Sequence, residues 1–329
     1  VDGRIGERGS GPQGRRGIIL LIVLWTLTAL SLILSEFVAS GKTTLALVRN
    51  TKEEMIGYYL ALGAMNRALE EVKADYRFLR PQADGSVLLT AESATLRPAA
   101  EEEPTPGEET LPDGGRYAYR FFDEEGKFNL NVEGKERKKL VEILQAAGME
   151  MGLDRDILAD SILDWTDPND AHRLNGAESD YYRTLSPPYE ARNEDFSSVE
   201  ELLLVKGMTR DLLYGSGGGT RLADMVTVYT EGSFNAEAAS PPVLKVMRGP
   251  ASEKIIQNRE SRETPEYRAS SPDYFTVVAE GWAPGSLRPR AIRAVVKKTG
   301  QGKAARVLVL RWIDRGEPLR RREPADDER

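Results

Sequence analysis

Gly14-Arg15-Arg16-Gly17-Ile18-Ile19-Leu20-Leu21-Ile22-Val23-Leu24-Trp25 opens a run of seventeen uncharged residues, Ile18 to Leu34, in which only Thr26, Thr28 and Ser31 are polar. As a helix the run is roughly 25 Å long at about 1.5 Å per residue, the low end of what spans a bilayer. A cleaved secretory signal, a membrane anchor and a buried core helix all satisfy that length. Arg4, Arg8, Arg15 and Arg16 against Asp2 and Glu7 favour a cytoplasmic leader, with the C-terminal side carried across the membrane. A secretory signal ends in small residues, and only Ala39-Ser40-Gly41 offers such a site. The helical period continues instead. Met55, Tyr59, Leu62, Met65, Leu69, Val72 and Tyr76 recur at three- and four-residue steps, with Pro81 as the expected stop.

Composition narrows the function. The chain has 329 residues, enough for two domains beyond the apolar segment. Its 52 acidic residues exceed its 45 basic ones, against the basic excess of a nucleic-acid binder. With no cysteine, disulfides, thiolate zinc sites and thiol chemistry are excluded. His172 is the only histidine, so a multi-histidine metal site is impossible.

Arg15-Arg16-Gly17 before Ile18-Ile19-Leu20-Leu21-Ile22-Val23-Leu24-Trp25 resembles a type IV prepilin-like leader. The resemblance implies cleavage after Gly17 by a prepilin peptidase and methylation of the new N-terminus at Ile18. Most pilins carry a glutamate where this chain has Ile22; its absence is the habit of the minor pseudopilin K family of type II secretion systems. A carboxylate in lipid is costly unless a neighbouring subunit's amine pairs it, and a subunit with nothing above it needs none.

Residues 77–115 read as connective, with Glu101 to Glu109 a solvated acidic loop. Tyr117 to Phe122 reads as a strand with Tyr117, Tyr119 and Phe121 on one face. Helices are expected over Glu136–Ala147 and Asp154–Trp165, burying Leu140, Ile143 and Leu144 on the first and Ile157, Leu158 and Ile162 on the second. The second carries Asp156, Asp160 and Asp164 at four-residue steps, a repulsive spacing. Asp164 and Asp167 also sit at its C-terminal end, where negative charge is unfavourable. Asn169, Asp170, Asn175, Glu178 and Asp180 follow, with Arg173 the nearby cation. Hard oxygen donors crowded in a loop suit Ca2+ better than Mg2+, although the spacing is not an EF-hand. A solvated acidic loop with helix caps at Asp167 and Asn169 is the alternative.

Asp164-Trp165-Thr166-Asp167-Pro168-Asn169-Asp170, Gly176-Ala177-Glu178, Tyr182, Pro188-Tyr189 and Arg192-Asn193 resemble the signature of the same pseudopilin K family. So do Ser198-Val199-Glu200-Glu201-Leu202, Val205-Lys206-Gly207-Met208 and the earlier Phe128-Asn129-Leu130-Asn131. The resemblance implies a calcium-binding helical domain inserted in a pilin-like fold. Of the carboxylates, Asp167, Asp170, Glu178 and Asp180 are the expected Ca2+ ligands. Ser198 to Tyr214 also resembles a helix-hairpin-helix, but Glu200, Glu201 and Asp211 against Lys206 and Arg210 make a poor phosphate-seeking surface. A structural helix pair is the expectation, with Gly215 to Gly219 a flexible tip.

Tyr274–Glu280, Arg290–Lys298 and Arg306–Ile313 read as strands, the last with Leu308, Leu310 and Trp312 on one face. The one-sided sheet needs a cover, which the helix over Met55–Tyr76 supplies. The fold class is therefore α+β, pilin-like: a long N-terminal helix on a small antiparallel sheet, with a large inserted helical domain. The expected divisions are a leader at 1–17, the long helix at 18–80 and the pilin-like domain at 81–133 and 271–314. The helical domain takes 134–270 and a disordered tail 315–329. The family resemblance implies a non-enzymatic, single-pass inner-membrane subunit with periplasmic domains, placed at the pseudopilus tip to start assembly for protein export. Its partners would be other minor pseudopilins, the prepilin peptidase and the inner-membrane assembly platform, with no nucleic acid. A type IV minor pilin and, further off, a membrane-anchored metal-dependent hydrolase are the alternatives.

Overall fold

A computed structural model describes residues 13–74, 76–82, 85–90, 107–215, 221–261, 267–268, 273–314 and 316. The leader residues before 13, loop residues 91–106, the glycine tip at 216–220 and the tail from 317 lie outside the described residues, so the expectations for them are left there. The chain divides between Met55 and Ile56 into two compact units, each taken by itself below. Helix α1, Gln13–Lys73, runs through both.

In the first unit Ile18, Leu20, Trp25, Leu32, Phe37 and Leu45 are among many large apolar side chains left exposed. Its threonine hydroxyls are tied back to the helix. Thr26 and Thr28 donate to the carbonyls of Val23 and Trp25 at 2.9 Å, and Thr43 and Thr44 to Ala39 and Ser40 at 3.0 Å. Such back-bonding removes a free donor from an apolar surface.

In the second unit α1 lies on an antiparallel sheet by most of the expected stripe, with Met65, Val72 and Tyr76 buried in the core and only Met55 and Tyr59 left out. Ala61, Ala64, Met65, Ala68 and Val72 are the buried residues, with Leu62 and Leu69 packed beside them. Met55 and Tyr59 are 55% and 63% exposed. A close backbone crossing sets the rotation. A Cβ on Gly281 would lie 2.2 Å from the Gly57 carbonyl oxygen and 2.5 Å from the Ala61 nitrogen. The close crossing falls on the small residues Gly57 and Ala61, and Met55 and Tyr59, each two positions from Gly57, are left outside. It ends at Lys73, before Pro81, which instead closes a strand.

The stretch 77–115, expected to be connective, supplies three strands. They are β1 (Phe78–Pro81), β2 (Val87–Thr90) and β3 (Glu108–Thr110). β1 and β2 form a hairpin with Leu79 opposite Leu89. Glu108 and Glu109, expected in the acidic loop, pair with Ala118 and Tyr117 of β4 (Arg116–Asp123). Tyr119 and Phe121 of β4 face α1, as their alternation predicted, with Tyr117 packed partly against the same core.

From β4 the chain enters the helical block. β5 (Phe128–Asn129) is followed by α2 (Arg137–Ala146), α3 (Leu153–Thr166) and α4 (Ser179–Tyr182). A 3-10 helix over Val199–Leu204, α5 (Arg210–Tyr214), α6 (Leu222–Met225) and β6 (Val226–Thr227) come next. The block closes with α7 (Pro241–Arg248) and α8 (Ala251–Glu260). It has its own core around Phe128, Leu140, Ile143, Leu144, Leu158, Ile162 and Trp165. The Phe-Asn-Leu-Asn run is its clamp. Phe128 and Leu130 are buried, while Asn129 donates to the Thr230 carbonyl at 2.6 Å and Asn131 accepts from the Phe196 nitrogen at 2.8 Å.

Strand β7 (Tyr267–Arg268), expected in the helical block, pairs with β1 of the sheet. β8 (Tyr274–Trp282), β9 (Arg290–Thr299) and β10 (Arg306–Ile313) complete a sheet of order β10-β9-β8-β4-β2-β1-β7, with β3 on β4. The face expected for β10 does not form. The pairing with β9 shifts between Val309 and Arg311, leaving Leu310 in the irregularity. Past it the alternation reverses, so Val307 and Trp312 pack on the α1 side while Leu308 and Leu310 are 50% and 41% exposed.

Candidate metal centre

Helix α3 is hydrophobic enough to be buried on most sides, and it takes its aspartates inside with it. Asp160 and Asp164 are 3% and 0% exposed. Buried charge requires partners, and tertiary neighbours supply them. Arg137 of α2 donates to Asp160 at 2.6 Å and Asn175 donates to its other oxygen at 3.2 Å. Burial pushes the Asp160 carboxyl up, yet these two donors outweigh it and hold it below the usual range. Arg137 also lies 3.6 Å from Asp156. The repulsion anticipated along α3 is thus answered by an arginine that sequence spacing did not place nearby.

At the C-terminal end of α3 the loop doubles back. Asn169 donates to Asp167 at 2.6 Å, and Ala171 N–H to the Asn169 side chain at 2.9 Å. Arg173 N–H donates to both Asp164 oxygens, at 3.1 and 3.3 Å. Gly176 passes so close that a Cβ there would lie 1.8 Å from Asp164 Oδ2. Lys206 pins this pass by donating to the Gly176 carbonyl at 3.1 Å.

The fold-back brings Asp164, Asp167 and Glu178 together, one oxygen of each within 4.8 Å of the others. Arg173 Nη1 lies 2.5 Å from Asp164 Oδ1 and 2.5 Å from Asp167 Oδ2. Glu178 is 1% exposed, and neither of its carboxylate oxygens has a partner among the described residues. Burial first, and then Asp164, Asp167 and Asp170, push its carboxyl up to about 7, with Arg173 acting the other way.

Of the four ligands expected from sequence, Asp167 and Glu178 lie in this cluster. Asp170 is at its exposed edge, 3.4 Å from Asn193 Nδ2. Asn193 itself has a positive φ of 52° and a buried Oδ1 with no partner among the described residues. Asp180 points elsewhere, exposed and 3.4 Å from His172 Nε2. Asp164, omitted from the expected set, is the most deeply buried member. Its signal was present in the Asp164–Asp167 step of three at a helix end, which puts both carboxylates on one face. A buried carboxylate with two orphaned oxygens beside two more carboxylates fits a hard divalent cation, and the all-oxygen donor set fits Ca2+. Ca2+ takes six to eight oxygens, so carbonyls or waters would complete such a shell.

The hairpin at 199–214 spends its polar groups internally. Glu201 accepts from Trp165 Nε1 at 2.9 Å and from the Ser197 hydroxyl at 2.8 Å. The Lys206 N–H goes to the Tyr182 hydroxyl at 3.2 Å and the Met208 N–H to the Val205 carbonyl at 3.1 Å. These are the turn donors that a phosphate would need.

Residues 126–231 match the family profile described as type II secretion system (T2SS), protein K. That span holds the Phe-Asn-Leu-Asn clamp, the carboxylate cluster and the hairpin. This match points to type II secretion system protein K as what the chain is similar to. It is 27% identical over 244 residues to the Pseudomonas aeruginosa type II secretion system protein K, covering 71% of this chain and 68% of that one. It is 24% identical over 208 residues to the putative protein K of Escherichia coli K12, and 25% over 216 to that of Pectobacterium carotovorum. There the match spans 59% and 60% of the relative. Among solved structures it resembles a chain of the GspK-GspI-GspJ complex of the enterotoxigenic E. coli type 2 secretion system. The TM-score is 0.54 at 15% identity, covering 82% of this chain and 99% of the other. That likeness establishes a pilin-like α+β fold for this chain, with a long N-terminal helix and an antiparallel sheet.

Proposed function

We propose that this chain is a minor pseudopilin at the tip of a periplasmic pseudopilus, where it helps to start assembly for protein export. The observation that carries this reading is the conjunction of an apolar helix with no buried face, residues 18–48, with a pilin-like sheet and the family's own helical block. An exposed apolar helix long enough to cross a membrane needs either lipid or other helices around it. A pilus-type subunit meets both in turn: it waits in the inner membrane with its C-terminal portion in the periplasm, then packs among neighbouring shafts.

The family relative whose structure it resembles was solved in a complex with two other proteins of its secretion system, GspI and GspJ. By analogy, the partners of this chain are the corresponding minor pseudopilins, together with a prepilin peptidase acting between Gly17 and Ile18 and the assembly platform in the inner membrane. Its role is structural rather than catalytic. Ca2+ held by Asp164, Asp167 and Glu178, with Asp170 at the edge, would fix the loop of residues 167–178 on the helical block. Processing tests the reading. Co-expression with a prepilin peptidase should yield a chain that begins at Ile18 by mass spectrometry, and Gly17→Ala should block the cut. A wild-type chain left whole by an active peptidase would refute the leader assignment.

A further inference from the structure

The Arg173 guanidinium occupies the place a divalent cation would take. Its Nη1 stands 2.5 Å from one oxygen of Asp164 and 2.5 Å from one of Asp167. Ca2+ binds carboxylate oxygens at 2.3–2.6 Å, the same distance. Both positions lie beside the orphaned Glu178 carboxylate, whose oxygens find no partner even with the guanidinium in place. Nη1 and an ion bridging the same two oxygens cannot coexist. The Arg173 side chain is 38% exposed and has a route into solvent, whereas Asp164 is wholly buried and Asp167 20% exposed.

We propose that Arg173 is a built-in counter-cation of the divalent site, an intramolecular competitor that Ca2+ must displace. This inference rests on the Ca2+ reading given above. Without the ion, Arg173 neutralises part of a three-carboxylate cluster and keeps the loop closed. With the ion, the guanidinium swings out, Glu178 gains its missing partner, and the surface around residue 173 gains a free positive charge. Ion affinity is then set by a ligand-for-ligand exchange rather than by the carboxylates alone. The loop thereby carries two different electrostatic faces, depending on Ca2+.

The test uses the full chain purified in detergent, stripped of metal with a chelator and titrated with CaCl2 by isothermal calorimetry. Wild type, Arg173→Gln, Arg173→Lys and Glu178→Gln are compared, with circular dichroism to establish folding. Losing a charge-assisted bridge of this kind should tighten Ca2+ binding by about tenfold in Arg173→Gln, equivalent to about 1.4 kcal/mol. Arg173→Lys, which keeps a competing positive charge on the side chain, should tighten it less. Glu178→Gln should abolish it. If wild type shows no binding at millimolar Ca2+, the metal-site reading itself fails. If wild type binds and both arginine variants bind equally well or more weakly, the site stands and the competition is overturned. Should Arg173→Gln not fold, the Arg173→Lys comparison decides alone.

Discussion

Glu178 is a carboxylate placed where an ion-free protein would least want one, buried and with both oxygens unpartnered. Its protonation is favoured by burial and by the neighbouring carboxylates, so at pH 8 the ionised form destabilises the folded state. Glu178→Gln should therefore raise the melting temperature in chelator at pH 8 and lower it relative to wild type in millimolar Ca2+. A thermal scan under both conditions reads the crossing; the same sign in both would contradict the account. Gly176→Ala drives a methyl to 1.8 Å from Asp164 Oδ2. It should cost about 1–3 kcal/mol of stability as well as weakening Ca2+ binding, measured by denaturant unfolding and calorimetry. Asp273 supplies a pH signal away from the cluster. It accepts a hydrogen bond from Tyr76 at 2.9 Å, and burial above all raises it to about 6, with Glu125 adding to the rise and Lys298 opposing it. A raised carboxyl contributes stability that is full below its unfolded value near 4 and lost as pH rises through 6. Wild type should therefore lose stability relative to Asp273→Asn between pH 4 and pH 6, seen in paired urea melts. A pH-independent difference would refute this assignment.

At the scale of elements, α1 shows where sequence reading works and where it slips. The length and period of the helix are legible because the apolar run and its continuation contain no breaker until Lys73 has passed. The face that meets the sheet is legible in part: Met65, Val72 and Tyr76 of the periodic stripe are buried there, whereas Met55 and Tyr59 stay outside and Gly57, Ala61, Ala64 and Ala68 make the close contact. Only the facing Gly281, more than two hundred residues on, explains that choice. Gly281→Ala should accordingly cost about 1–3 kcal/mol through overpacking, whereas Met55→Ala should leave stability within about 0.5 kcal/mol. Chemical denaturation of the two variants distinguishes them; equal effects would mean the crossing is not where the helix is held. The strands β1 to β3 escaped because each has only three or four residues, too few for an alternating pattern to stand out. β10 was found, but its irregularity at Leu310 reversed the face. The cluster was half legible. Asp167 and Glu178 could be named from the loop composition, whereas burial of Asp164 and dismissal of Asp180 depend on a fold-back fixed by Gly176 and Lys206.

For the whole molecule, the two hydrophobic cores divide the labour. One seats α1 on the sheet, and the other holds the helical block whose loop carries the carboxylates. An apolar helix with no buried face leaves large apolar area uncovered in the lone chain, which is the physical reason to expect partners. The absence of a carboxylate at Ile22 fits a subunit with no neighbour above it, since no amine there has to be paired. The most direct measurement is co-purification of the tagged, processed chain from membranes with the I-type and J-type minor pseudopilins of its own system, followed by mass determination of the complex. The account predicts a stable ternary complex containing one chain of this protein. Recovery of the folded chain alone, with both candidates expressed and processed, would contradict it.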